Sequence, residues 1–211
     1  MLKLFIRSED GATMVELAIA LTLLLVLTLG FVDFGFAFYQ WNAATKAVQV
    51  GARLASISDP VASALATAAP TSNPGAPVAA GAYGPFVCTY SAGAGSCTNG
   101  GTFSAAAFSR IFRGDTANTN DDTCPSPANG QRPGMCQFFP GLQRANVVVT
   151  YTATGLGYQT RLGGPVPTIT VSLQNINFQF FFLGGLLGFS NLTVPSMLST
   201  VTGEDLKSTS P

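Results

Sequence analysis

Histidine is absent from the chain. That removes the commonest general base and the commonest metal ligand together, so histidine triads, histidine-ligated metals and histidine-held haem are excluded. Charge is scarce as well: 9% of the residues are charged, against roughly a quarter in an average globular domain. Ten basic side chains balance ten acidic ones, so no net field draws the chain to nucleic acid or to an anionic surface. There is no CxxC spacing, no GxSxG, no P-loop and no recognisable catalytic carboxylate pair. No catalytic residue, metal ligand or cofactor site is therefore expected, and the chain does not read as an enzyme. What fills the space is 47% hydrophobic residues, with much Gly, Thr, Ser, Asn and Phe. Such a composition suits an exported β-rich body joined to a membrane segment.

From Leu17 to Val32 run 16 residues without a charge, and after Asp33 the stretch FGFAFYQW continues uncharged to Lys46. Residues 14–38 supply the ~20 apolar positions that a helix needs to cross a bilayer. Lys3 and Arg7 precede the run, which places the N-terminus in the cytoplasm by the positive-inside rule and the remainder outside. A cleaved signal peptide fits poorly, because its h-region spans only ~7–15 residues and a small-residue site follows it. Here the run is longer, its sequel is aromatic, and the small residue, Gly11, comes before it.

Beyond the membrane Asn42, Lys46, Gln49, Arg53 and Ser56 recur at steps of four and three, against a less polar face of Phe38, Trp41, Thr45, Val48, Ala52 and Ala55. A single helix is predicted over 12–58, about 70 Å long at 1.5 Å per residue. Ser58-Asp59-Pro60 ends it, since the residue before a proline is pushed out of the α region.

Glu16 stands at the threshold of the apolar run, five residues after Gly11. A carboxylate at membrane depth costs ~2.5–3.5 kcal/mol on insertion scales and marks a functional site by default. The stretch GATMVELAIALTLLLVLTLGFVDFGFAFYQ, followed by NAATKAVQVGARLAS, resembles the TadE-like family, minor pilins or pseudopilins of the tight-adherence (Flp, type IVc) pilus machinery. The resemblance rests on the Gly11-Ala12 cleavage site, Glu16 at the fifth mature position, Asp33-Phe34-Gly35 and Gly51-Ala52-Arg53. Two departures are plain: Asp33 replaces a more usual Glu, and Glu9 and Asp10 adjoin the cleavage point.

The resemblance implies a 1–11 leader removed by a prepilin peptidase, single-pass insertion in a bacterial inner membrane with a periplasmic C-terminal domain, and passage into a surface pilus. Partners are then other pilins or pseudopilins through the N-terminal helix, the peptidase and the pilus assembly platform, with no nucleic acid. Cleavage would free an α-amine on Ala12 that neutralises Glu16 of a neighbouring subunit and sets the register. The plainer reading leaves Glu16 at headgroup level, favouring the helix macrodipole. Asp33 either snorkels to water or pairs with a cation on a partner helix. The rival assignments are a type II secretion pseudopilin and an uncleaved, membrane-anchored binding domain.

The exported body opens on an Ala/Pro/Gly linker at 59–82, with a short helix over 61–69. A β-rich domain follows at 83–206, then a tail at 207–211. Cys88, Cys97, Cys124 and Cys136 allow three pairings, of which Cys88–Cys97 with Cys124–Cys136 is favoured because each closes a short loop. Disulfides agree with an oxidising compartment. The stretch 103–113 has helical spacing. Asp115, Asn118, Asn120, Asp121 and Asp122 crowd one loop at a density of oxygen ligands that could hold Ca²⁺, yet they lack the EF-hand pattern and read rather as an exposed polar loop. NVVVTYTAT (146–154) and TITVSLQNINFQFFFL (168–183) have strand composition, the second with a parity shift between Leu173 and Ile176 that implies a bulge or a bend. FFFLGGLLGF is too short and glycine-rich to span a membrane. It reads as a hairpin tip that touches the membrane or another pilin, or else as core, before a return strand in NLTVPSMLSTV. Asn191-Leu192-Thr193 matches a glycosylation sequon that carries no weight here. The expected class is α+β: a long N-terminal helix and a small disulfide-bonded antiparallel β-rich domain, pilin-like in plan.

Overall fold

The computed structural model describes residues 9–69, 72–115, 122–160, 164–178, 180–182, 184–185, 188, 192–193 and 195–204. Residues 1–8 of the leader, the tail and the centre of the Asp/Asn-rich loop with Asn118, Asn120 and Asp121 lie outside them, as does Asn191 of the sequon. The chain divides into two units, Met1–Gln40 with Asn177–Leu192, and Trp41–Ile176 with Thr193–Pro211.

One helix, α1, runs from Glu9 to Ser56 and contributes to both units. Its 48 residues give about 72 Å. No proline interrupts it, and its isolated glycines are tolerable at ~1 kcal/mol each. Its end falls two residues before the predicted one, where Glu204 donates its backbone N–H to the Ser56 carbonyl at 3.1 Å. The helical stripe of buried and half-buried residues is Val26, Leu29, Gly30, Asp33, Phe36, Ala37 and Gln40, continuing as Ala44, Ala47, Val48, Gly51 and Ala55. Phe38 and Trp41, assigned from periodicity to the less polar face, stand exposed, while Ser56 is buried.

In the second unit a five-stranded antiparallel sheet has the order β2-β1-β3-β4-β7, from Phe86–Ser91 (β1), Ala94–Cys97 (β2), Val147–Thr152 (β3), Thr168–Leu173 (β4) and Leu198–Thr202 (β7). The apolar residues alternate along each strand and the register aligns them: Phe86 faces Tyr151 and Tyr151 faces Ile169, while Cys88 faces Val149 and Val149 faces Val171. All six are buried. Helix α2 (Ala105–Arg113) starts at Ser104, whose hydroxyl accepts from the Ala107 N–H, and ends at Gly114 in the left-handed region. It buries Ala107, Phe108, Ile111 and Phe112, with Phe108 ringed by Tyr90, Phe103 and Phe112. The short α3 (Met135–Phe138) brings Met135 and Cys136 into the interior. Arg144, buried, sets its guanidinium 5.3 Å from the Tyr90 ring centre and 5.8 Å from that of Phe112.

The structure departs from the sequence reading in two places. The Gly- and Ser-rich stretch between Cys88 and Cys97 is a β-hairpin, not a loop, because Ala92 and Gly93 both take positive φ and close a two-residue turn. Residues 59–82, read as a linker, bury Val61, Ala62, Leu65 and Val78. Their backbone is tied down too: Val61 N–H donates to the Tyr151 hydroxyl at 3.0 Å, Ser104 N–H to the Val61 carbonyl and Val78 N–H to Gly157. Burial pushes the Tyr151 phenol well above its ordinary range, so it serves here as a neutral acceptor. The long run 168–183 does bend where its parity shifts, at Asn175, at φ 55°, where the Asn146 side-chain amide donates to the Gln174 and Asn175 carbonyls. After that bend the chain enters the first unit through β5 (Asn177–Phe178), which pairs with β6 (Leu192–Thr193). The strand paired with β4 is β7 instead.

The cysteines form Cys88–Cys97 across β1 and β2, and Cys124–Cys136 onto α3. The α+β class, one long apolar helix followed by an antiparallel sheet with two disulfides, is the observed architecture.

Candidate functional site on the N-terminal helix

All the residues singled out on the N-terminal side lie on α1. Gly11 and Ala12 lie close to Glu9, the first residue of the helix. Glu16 follows Ala12 by four residues, one turn along the same face. Every residue from Gly11 to Leu25 is exposed, Glu16 included. Leu and Val at such exposure have no intramolecular reason to be there. Gly11–Ser56 is long and apolar enough to cross a membrane, and none of its most apolar window is buried inside the chain.

Asp33 differs sharply, with only 2% of its surface exposed. One carboxylate oxygen, Oδ1, accepts the Phe181 backbone N–H at 3.1 Å and the other, Oδ2, accepts that of Phe182 at 3.0 Å. The ring of Phe34 meets Phe180 edge-on at 6.0 Å, and Phe36 lies 4.9 Å from Phe181. Snorkelling to water is thus not what this side chain does. Its amide partners come from the Phe-rich segment, which the sequence alone could not assign to it. The only signal was circumstantial: a lone carboxylate in one uncharged run and a second uncharged stretch, 162–203, elsewhere. A Cβ at Gly35 would meet none of the described residues within 4 Å.

Five helical turns after Asp33, Gly51 is crowded where Gly35 is not. A Cβ there would fall 2.5 Å from Met135 Sδ and 2.8 Å from its Cγ, and Met135 is itself fully buried. Ala52 beside it is buried, and Arg53 is exposed in the last turn, where a cation suits the helix dipole. Gly51→Leu is therefore expected to destabilise the second unit by about 1–3 kcal/mol through overpacking, although leucine is the better helix former. Thermal unfolding followed by circular dichroism reads this, with Gly35→Ala as the variant that meets no clash.

Three glycine-anchored motifs and Glu16 thus lie on one unbroken helix, and a family model described as TadE-like protein matches residues 11–53. The helix carries a TadE-like domain. It ties the chain in general terms to the tight-adherence pilus system and agrees with anchoring in a membrane. The same comparison against curated proteins and against solved structures finds no match. The TadE-like match covers Gly11, Ala12, Glu16, Asp33, Phe34, Gly35, Gly51, Ala52 and Arg53, and stops short of the sheet. Among the described residues no cluster of three or more metal-ligating side chains occurs. Asp115 is occupied with Ser109 and Arg113, and Asp122 accepts the Arg144 backbone N–H.

Proposed function

We propose that the chain is a pilin-like assembly subunit, a minor pilin of a tight-adherence type IV pilus. In this reading a prepilin peptidase cuts after Gly11, the helix then leaves the bilayer to join a bundle of like helices, and the pilus so built mediates surface adhesion. The leader stays cytoplasmic, the disulfide-bonded domain is periplasmic, and the chain itself catalyses no reaction. One observation carries the reading: an apolar helix, exposed throughout Gly11 to Leu25, whose carboxylate Glu16 stands one turn after the residue that cleavage would make N-terminal.

The exposure matters because a mere anchor needs only apolar surface. Glu16 adds a cost on insertion that only a partner offsets. A freed Ala12 amine on an adjacent subunit is such a partner, and Gly35 leaves room for a neighbouring helix to approach closely. Intact-mass measurement of the membrane form tests the proposal. A mature chain beginning at Ala12 is expected, and a chain retaining Met1 would leave an uncleaved anchored domain instead.

A further inference from the structure

The Asp33 carboxylate is coupled to a segment that the pilin reading does not use. Phe181 and Phe182 expose 60% and 43% of their surface, although their backbone N–H groups are fixed on a buried carboxylate. Phe34, on the same turn of α1, is 62% exposed and touches Phe180. Side chains out and amides in is the reverse of what water favours for a phenylalanine-rich loop. It is what hydrocarbon demands, because there each unpaired backbone group costs several kcal/mol while an exposed ring costs nothing.

Position points the same way. Asp33 precedes Trp41 by eight residues, about 12 Å along the helix, and Tyr39 and Trp41 are the residue types that mark a membrane–water interface. The segment's apolar surface adjoins that of the helix, with Phe180 on Phe34 and Phe181 on Phe36, and the helix carries further exposed aromatic surface at Phe31 and Phe38.

We propose that the Phe180–Phe182 segment is a second membrane element. It re-enters the leaflet on the non-cytoplasmic side, and its occupant is lipid acyl chain, with Asp33 as the clamp that satisfies its turn. The carboxylate and the two amides solve each other's burial: the amides stabilise the charge, and the charge removes the unpaired donors. Asp33 is then a positioning residue that docks this loop beside the helix within its own chain. The inference rests on the helix spanning a bilayer, so the test reports that separately.

Single-tryptophan reporters in a Trp41→Phe background are reconstituted in phosphatidylcholine vesicles with brominated acyl chains. Phe181→Trp is expected to be quenched by the bromines and shielded from aqueous acrylamide. Adding Asp33→Ala should reverse both, raising acrylamide quenching several-fold, with Asp33→Asn intermediate and circular dichroism reporting that the chain stays folded. Leu24→Trp reports helix insertion. If that reporter is quenched by bromines while Phe181→Trp is open to acrylamide, the membrane element is overturned and the anchor stands. If Leu24→Trp escapes the bromines too, the anchor reading falls with it. A Phe181→Trp reporter shielded from both quenchers, and more so at higher protein-to-lipid ratio, would assign the surface to a second copy and overturn the lipid. Lipid quenching unchanged by Asp33→Ala would remove Asp33 as the clamp.

Discussion

Glu16→Gln is expected to lower incorporation into pili by about two decades or more while leaving the chain membrane-inserted. The physical basis is the asymmetry of a buried ion pair. Removing one partner leaves the other charge uncompensated, at ~3–5 kcal/mol, and each ~1.4 kcal/mol is a factor of ten. In the proposed bundle the orphan is the Ala12 amine of the adjacent subunit. Glutamine keeps the size and helix propensity of glutamate, so a loss cannot be assigned to a damaged helix. The plainer role, a glutamate complementing the macrodipole at headgroup level, is worth only ~0.3–1 kcal/mol and predicts a few-fold effect at most. The pair can be isolated further. Blocking cleavage with Gly11→Val removes the amine, so Glu16→Gln on that background should add little, a non-additivity expected only of groups that act together. Sheared pilus fractions blotted for the subunit, against total membrane content, give the readout. Unchanged incorporation of Glu16→Gln would dismiss the register role.

Local signals carried the helix and the strands that alternate, and failed where distant backbone pairs decide. The apolar run, the polar steps at Asn42, Lys46 and Gln49 and the stop at Pro60 are all encoded within a few residues of where they act. The strands Val147–Thr152 and Thr168–Leu173 are marked by β-branched residues at period two. The hairpin of β1 and β2 was illegible because its turn places Ala92, a residue with no turn preference, at φ 49°. The buried part of 59–82 was illegible for another reason. Its Ala-rich composition resembles a linker, and what fixes it in place is distant in the chain: the Tyr151 hydroxyl, 90 positions away, the Phe103 region, and the backbone around Gly157 and Gln159. At the candidate site the sequence located Asp33 and the Phe-rich stretch separately. Nothing local links a carboxylate to amides 148 and 149 positions away. Gly51 is the intermediate case: its place in a pattern was visible, and its cause, the fully buried Met135, was not.

Reduction of both disulfides is expected to lower the melting temperature of the second unit by about 12–24 °C, enough to unfold it near physiological temperature. Cys88–Cys97 and Cys124–Cys136 close separations of 9 and 12 residues. In the chain-entropy account each such loop is worth ~3 kcal/mol, and the two together ~6 kcal/mol. Against a typical domain stability of ~5–15 kcal/mol that is a large fraction, and each ~1 kcal/mol shifts the midpoint by roughly 2–4 °C at this size. The two bonds should not fail alike. Cys88 is fully buried in the central row with Val149 and Val171, so Cys88→Ala with Cys97→Ala keeps an apolar residue there and isolates the loop term. Cys136 neighbours Met135, the residue seated on Gly51, so Cys124→Ala with Cys136→Ala should also loosen the packing of α3 on the helix. The second pair is therefore expected to cost more than its loop length predicts, and to be partly non-additive with Gly51→Leu. Near-ultraviolet circular dichroism of the full chain in detergent, with and without reductant, follows both transitions. Retention of the native signal after complete reduction would show that the sheet and its aromatic cluster around Phe108 hold the unit together without the bridges.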